Sequence, residues 1–242
     1  MTHPTLILLC KRPAPGYGKQ RLAKAIGQDL ACQVAEALLS SALEDVLSWP
    51  GVVVIAPADV KDREWVKQLV QQQNVNHDRI KVLPQITGSL GLRINALDRT
   101  LRHSGFDELI FIGSDAPDIT QVNLNEIKEL FKNVNVVLKP TIDGGVSIMA
   151  NNQPWPDLSQ LAWSTAQFKT DLTALCQHYG LSIAHLETGF DVDECEDLKR
   201  IVHQLAQDQR PARRTLVELA KKIIQIKTSK QKIISHSENN YA

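Results

Sequence analysis

No stretch of this sequence stays apolar for the roughly 18 residues that a membrane-crossing helix needs. The opening ten residues have no basic lead-in, and their apolar run is too short for a secretory signal. A first strand is expected there instead. No Cys-x-x-Cys pair occurs among Cys10, Cys32, Cys176 and Cys195, so neither a zinc site nor a dense disulfide frame is indicated. Reduced thiols in a cytoplasmic protein are expected, with Cys10 in a buried strand and Cys32 and Cys176 on helices. A charge imbalance is absent too: 27 Lys+Arg stand against 27 Asp+Glu, which argues against a dedicated nucleic-acid binder. With 12 Gly and 11 Pro in 242 residues, collagen-like and low-complexity classes are excluded.

What is present is an alternation of short apolar runs with amphipathic stretches. The runs at 5–10, 52–56, 80–83, 108–113, 135–139, 145–150 and 183–186 are expected as strands. Several, such as Val52-Val53-Val54-Ile55, are apolar without a break, as suits strands covered on both faces. Helices are expected at 29–47, 63–72, 90–103, 125–132, 166–179, 194–206 and 213–226. Strand and helix in alternation imply an α/β fold: a central, mostly parallel mixed sheet with helices on both faces. Without a repeat or a Pro/Gly/Ser-rich linker, residues 1–209 read as one domain. Residues 210–242 read as a basic C-terminal helix, whose basic face is solvated or binds a membrane surface or a partner, followed by a disordered tail from about residue 229. Eight basic residues lie between Arg210 and Lys232, against the single acid Glu218.

In such sheets ligands bind beyond the carboxyl ends of the strands, so the loops that follow strands carry the functional argument. The first runs Lys11-Arg12-Pro13-Ala14-Pro15-Gly16-Tyr17-Gly18-Lys19-Gln20-Arg21. Its glycines allow backbone N–H groups to approach an anion, and Lys19 and Arg21 can neutralise phosphate oxygens. It is not a P-loop, since Pro13 stands where the first glycine belongs and Gln20 where Ser or Thr holds magnesium. Nor is it a dinucleotide fingerprint, whose third glycine is replaced by Arg21. A surface loop with incidental charge is the competing reading.

Three carboxylates follow later strands. Asp115, in Gly113-Ser114-Asp115-Ala116-Pro117-Asp118, can hold Mg²⁺ or Mn²⁺ against a diphosphate, or can be a turn residue. Asp143, in Thr141-Ile142-Asp143-Gly144-Gly145, can accept from a sugar hydroxyl, and the Asp-Gly pair also signals a hairpin. Asp193 can be a second metal ligand, or can form a capping box with Glu196. Trp163 can fill the core.

Taken together and in order, these motifs resemble a bacterial family of nucleotide-diphospho-sugar transferases with a glycosyltransferase-like GT-A-type fold, some of which are grouped with arsenosugar-biosynthesis glycosyltransferases. The resemblance covers about residues 5 to 205. It rests on Lys11 through Leu22, Gln85 through Arg93, Gly113 through Asp118, Pro140 through Val146, Trp163-Ser164-Thr165 and Asp191 through Leu198. The chain departs from the family pattern at Gln20, Ser89 and Val146, where Thr, Asp and Tyr are usual. The resemblance implies nucleotide and phosphate contacts by Lys11, Pro15, Gly16, Lys19, Arg21, Gln85 and Arg93. It implies substrate contacts by Gly144, Gly145 and Trp163, catalytic roles for Asp115 and Asp143, and a metal on Asp115 and Asp193. The expected activity is metal-dependent transfer from a nucleotide sugar to a small-molecule acceptor. The alternatives are nucleotidyl transfer from a nucleoside triphosphate with release of pyrophosphate, and nucleotide binding with weakened catalysis.

Overall fold

Apolar runs of five or six residues become central strands when both of their faces find cover, and β1 (Thr5–Cys10) shows this directly. In the computed structural model, Leu6, Ile7 and Leu8 are all fully buried. The structure describes residues 3–73 and 75–239, with side chains through residue 229. The other strands are β2 (Val53–Pro57), β3 (Ile80–Val82), β4 (Leu109–Gly113), β5 (Val136–Pro140), β6 (Val146–Asn151) and β7 (Ile183–His185). The helices are α1 (Gln20–Ile26), α2 (Gln28–Ser48), α3 (Arg63–Gln71), α4 (Leu90–His103), α5 (Gln121–Leu130), α6 (Phe168–His178), α7 (Cys195–Gln204) and α8 (Pro211–Asn239).

Among the described residues the strands form one sheet in the order β3-β2-β1-β4-β6-β5-β7. Every pairing is parallel except those of β6, which runs against both β4 and β5. The turn at 141–145 makes β5 and β6 a hairpin, as the Asp-Gly signal predicts. This is the mostly parallel mixed α/β sheet expected from the alternation of elements. On one face Ile7, Val54, Phe111, Leu138 and Met149 join Ile94, Leu97 and Leu101 of α4 and Phe168, Leu172 and Cys176 of α6 in one core. The alternate residues Leu6, Leu8, Val53, Ile55, Ile110 and Ile112 are buried as completely, so the second face is covered too. All four cysteines are free. Cys10 and Cys176 are buried, and burial pushes both thiols up to about 12, helped at Cys10 by the neighbouring Asp62 charge.

The chain divides into two compact units. The first holds residues 1–12 and 42–190, with the whole sheet; the second holds residues 13–41 and 191–242. Within the second unit α8 packs on α7, and Leu216, Val217, Ala220 and Ile223 of α8 are buried. Arg213 of the same helix is fully buried and donates from Nη1 to the Ser41 carbonyl. Its place is therefore inside, and the basic face expected for this helix lacks it. The helix expected to end near residue 226 continues to Asn239, where the sequence suggests a disordered tail. Residues 240–242 lie outside the described residues.

Candidate functional site

The sheet topology brings most of the singled-out residues of the first unit to one edge. All strands except β6 end there. Lys11 follows β1 directly, the Gln85–Arg93 stretch follows β3, Asp115 stands two residues past β4, and the Asp143 turn follows β5. Lys11 and Asp115 are exposed, as an approaching ligand requires.

Gln85 is buried. Its Nε2 donates to the Ala56 carbonyl at 2.7 Å and its backbone N–H to Pro57 at 2.9 Å, so it fastens the segment after β3 to the end of β2. Arg93 turns back on its own helix start, with Nε 2.8 Å from the Gly88 carbonyl. Ser89 is the N-cap of α4 and its hydroxyl accepts from the Leu92 N–H at 3.4 Å. Serine caps a helix about as well as aspartate does, so this departure from the family pattern preserves the local fold.

Asp143 accepts at Oδ1 from the Thr141 hydroxyl at 2.5 Å and the Gly145 N–H at 3.0 Å, while the residue as a whole stays exposed. It therefore builds its own hairpin turn and still faces solvent. Gly144 adopts φ 88°, and a Cβ on it would stand 2.0 Å from the Ala166 carbonyl oxygen, so both backbone and space demand glycine. Trp163 is half-buried: its ring lies 4.3 Å from that of Phe168 and its Nε1 donates to Leu158 at 3.3 Å. Its main contacts are with the core.

The second unit holds a separate cluster. Gly16 and Gly18 have φ of 74° and 73°, which the two glycines of the loop allow. Pro15 and Gly16 are exposed in the tight turn closed by Tyr17 N–H donating to Ala14 at 3.0 Å. Lys19 starts α1 with φ 47°. Its side chain is 6% exposed, and Nζ donates to the Val192 carbonyl at 2.6 Å and to Asp193 Oδ1 at 3.2 Å. Arg21 lies 3.7 Å from Asp193 and 3.6 Å from Glu194. Two cations and two carboxylates thus offset one another. The capping box of α7 is not Asp193 with Glu196 but Glu194 with Asp197, one residue later. Asp197 Oδ2 accepts from the N–H groups of Asp193 and Glu194 at 2.9 and 2.7 Å. The Asp193 carboxylate is accordingly left out of the cap and pairs with Lys19.

Sequence reasoning passed over Lys139 and Asp118. Lys139 is buried in β5, 3.2 Å from Asp118 Oδ2. Burial pushes the Asp118 carboxyl above the ordinary range, and the Lys139 charge and the Phe190 N–H pull it back in part. The available signal is one lysine inside the otherwise apolar run Val136-Val137-Leu138. Among the described residues no three His, Cys, Asp or Glu side chains converge as a metal cage, and no helix is long and apolar enough to cross a membrane.

Residues 40–165 match the family described as an uncharacterized protein conserved in bacteria, DUF2064. The chain belongs to this family. No curated protein matches it. The DUF2064 chain shares its fold with a candidate nucleotide-diphospho-sugar transferase from Desulfovibrio desulfuricans G20. The two are 18% identical with a TM-score of 0.82, over 94% of this chain and 99% of that one. A cytidylyltransferase from Leptospira borgpetersenii is similar at a TM-score of 0.54 and 12% identity, over 93% of this chain and 96% of that one. A CMP:2-keto-3-deoxy-manno-octonic acid synthetase complexed with CTP is similar at 0.51 and 15%, over 86% of this chain and 100% of that one. These likenesses establish the nucleotide-diphospho-sugar transferase fold.

Proposed function

We propose that this DUF2064 protein is a nucleotide-utilising transferase whose donor is a nucleotide sugar and whose acceptor is a small molecule. The observation that carries the reading is the exposed Asp115 just beyond the central strand β4, in a fold shared nearly end to end with a candidate nucleotide-diphospho-sugar transferase. The neighbouring turn supports it, with Asp143 held by Thr141 and Gly145 and its carboxylate at the surface.

The donor set suits Mg²⁺ or Mn²⁺ at Asp115. Mg²⁺ typically takes one or two protein carboxylates and completes its shell with phosphate and water, so a three-carboxylate cage is not required. A cation held there supplies charge neutralisation for a departing diphosphate. Asp115 anchors the donor, and Asp143 accepts from a sugar hydroxyl beside the backbone of Gly144 and Gly145. Within the second unit, Lys19 and Arg21 are candidate phosphate cations, and Asp193, which both of them pair with, is a candidate metal ligand. A second reading, nucleotidyl transfer, is favoured by the CTP-bound synthetase and the cytidylyltransferase among the structures of similar fold.

Product analysis tests both. Nucleotide sugars and nucleoside triphosphates are incubated with the protein and Mg²⁺ or Mn²⁺. Glycosyl transfer releases nucleoside diphosphate, and nucleotidyl transfer releases pyrophosphate. Asp115→Asn is expected to abolish the metal-supported part of nucleotide binding while the protein stays folded. Equal metal-supported affinity in wild type and variant, read by calorimetry, removes Asp115 from the site.

A further inference from the structure

Three segments of the first unit meet at Lys139. Its Nζ lies 3.2 Å from Asp118 Oδ2 and donates to the Glu187 carbonyl at 3.1 Å. Its own carbonyl accepts from the Ser147 hydroxyl at 3.4 Å. The segment after β7 then runs along the end of β5, with Gly189 N–H donating to Pro140 at 2.8 Å and Ile142 N–H to Gly189 at 3.1 Å. A Cβ on Gly189 would stand 2.2 Å from Asp118 Oδ2 and 2.6 Å from Lys139 Cε. The chain therefore closes directly over the ion pair, and glycine is needed there for space.

Stability alone gives a poor account of this pair. Charges removed from water lose hydration that their attraction seldom restores in full, and an apolar pair of similar volume usually serves a core as well or better. Asp118 Oδ1 is in addition buried without a hydrogen-bond partner, which apolar filling would avoid. What the pair does connect is specific: Asp118 belongs to the loop that carries Asp115, and Lys139 belongs to the strand that leads into the Asp143 turn.

We propose that Lys139 is a positioning residue, which through Asp118 fixes the 113–118 loop and with it the Asp115 carboxylate, and through Glu187 fixes the segment lying along the β5 end. The inference rests on the reading of Asp115 given above.

The test compares wild type with the double variant Asp118→Leu/Lys139→Met, which replaces the pair by apolar bulk, and with Asp118→Asn, which keeps the shape. Hydrogen exchange is followed over residues 113–119, and the affinity for ADP, GDP, CDP and UDP is measured with and without Mg²⁺. Both variants are expected to remain folded and to exchange about tenfold faster in that loop while the rest of the sheet is unchanged. Mg²⁺-supported affinity is expected to fall about tenfold, with metal-free affinity unaltered. Wild-type exchange in the loop of both variants overturns the proposal, and so does a rise spread evenly over the sheet, which marks a merely structural pair. If wild type shows no Mg²⁺-supported binding while loop exchange still rises, the reading of Asp115 fails and the ordering role of Lys139 stands.

Discussion

Lys19 and Arg21 stand two residues apart on the same loop, yet they meet different surroundings. Lys19 is nearly enclosed between a carbonyl and a carboxylate, whereas Arg21 is 57% exposed. Removing Lys19 strips a charged partner from a part-buried Asp193, so Lys19→Ala is expected to cost on the order of 1.5–3 kcal/mol of stability. Arg21→Ala, which loses only solvent-exposed pairings, is expected to cost less than about 1 kcal/mol. Chemical denaturation separates the two. Both variants are expected to weaken binding of a nucleoside diphosphate roughly ten- to hundredfold while leaving the bare nucleoside unaffected. Equal losses for nucleoside and diphosphate would reduce the loop to a surface turn. The glycines at 16, 18 and 144 and the place of Asp115 beyond β4 are legible in the sequence, because each is set by residues within a few positions. The pairing of Lys19 with Asp193 is not, since it joins residues 174 apart that no local pattern connects.

Helices and strands were legible where their hydrophobic period is long and clean. The β1 and α4 bounds follow from the run 5–10 and the period at 90–103 without adjustment, and the other predicted strands shift by a residue at most at either end. The seven-residue helix α1 escapes the pattern because a single side chain, Leu22, is buried along its length. For α8 the apolar stripe is legible and the interior arginine is not, because a buried guanidinium depends on an acceptor, the Ser41 carbonyl, supplied by α2. Arg213→Ala is expected to lower stability by about 1.5–3 kcal/mol, and Arg213→Lys to recover only part of it, since a single ammonium does not reproduce the planar fork. Urea titration of the three proteins checks both. Just ahead of α8, Asp208 is bound by Arg210 at 2.6 Å, and although burial raises its carboxyl, the Arg210 hydrogen bonds and charge hold it below the ordinary range. A carboxyl depressed on folding adds stability above its unfolded pKa and loses it as pH falls through the folded value. The stability gap between wild type and Asp208→Asn is therefore expected at neutral pH and should shrink progressively below about pH 4. A gap that widens on acidification would remove Asp208 as the cause.

At the scale of the molecule, 18% identity accompanies a TM-score of 0.82, because strand order and burial pattern tolerate exchange of side chains that a particular pocket does not. This is why composition and periodicity reach the fold class, whereas ligand choice depends on individual side chains that they do not place. The four thiols divide between the two compact units: Cys10 and Cys176 in the first, both buried, and Cys32 and Cys195 in the second, both half-buried. A thiol raised to about 12 inside a sheet or beneath a helix barely reacts with an alkylating reagent until its surroundings open. Timed alkylation read by mass spectrometry is expected to mark Cys32 and Cys195 early and Cys10 and Cys176 late. Added nucleotide should delay the late pair further if it binds the closed form of the first unit. The native chain thus carries its own clock for the opening of its sheet, with no label to be engineered.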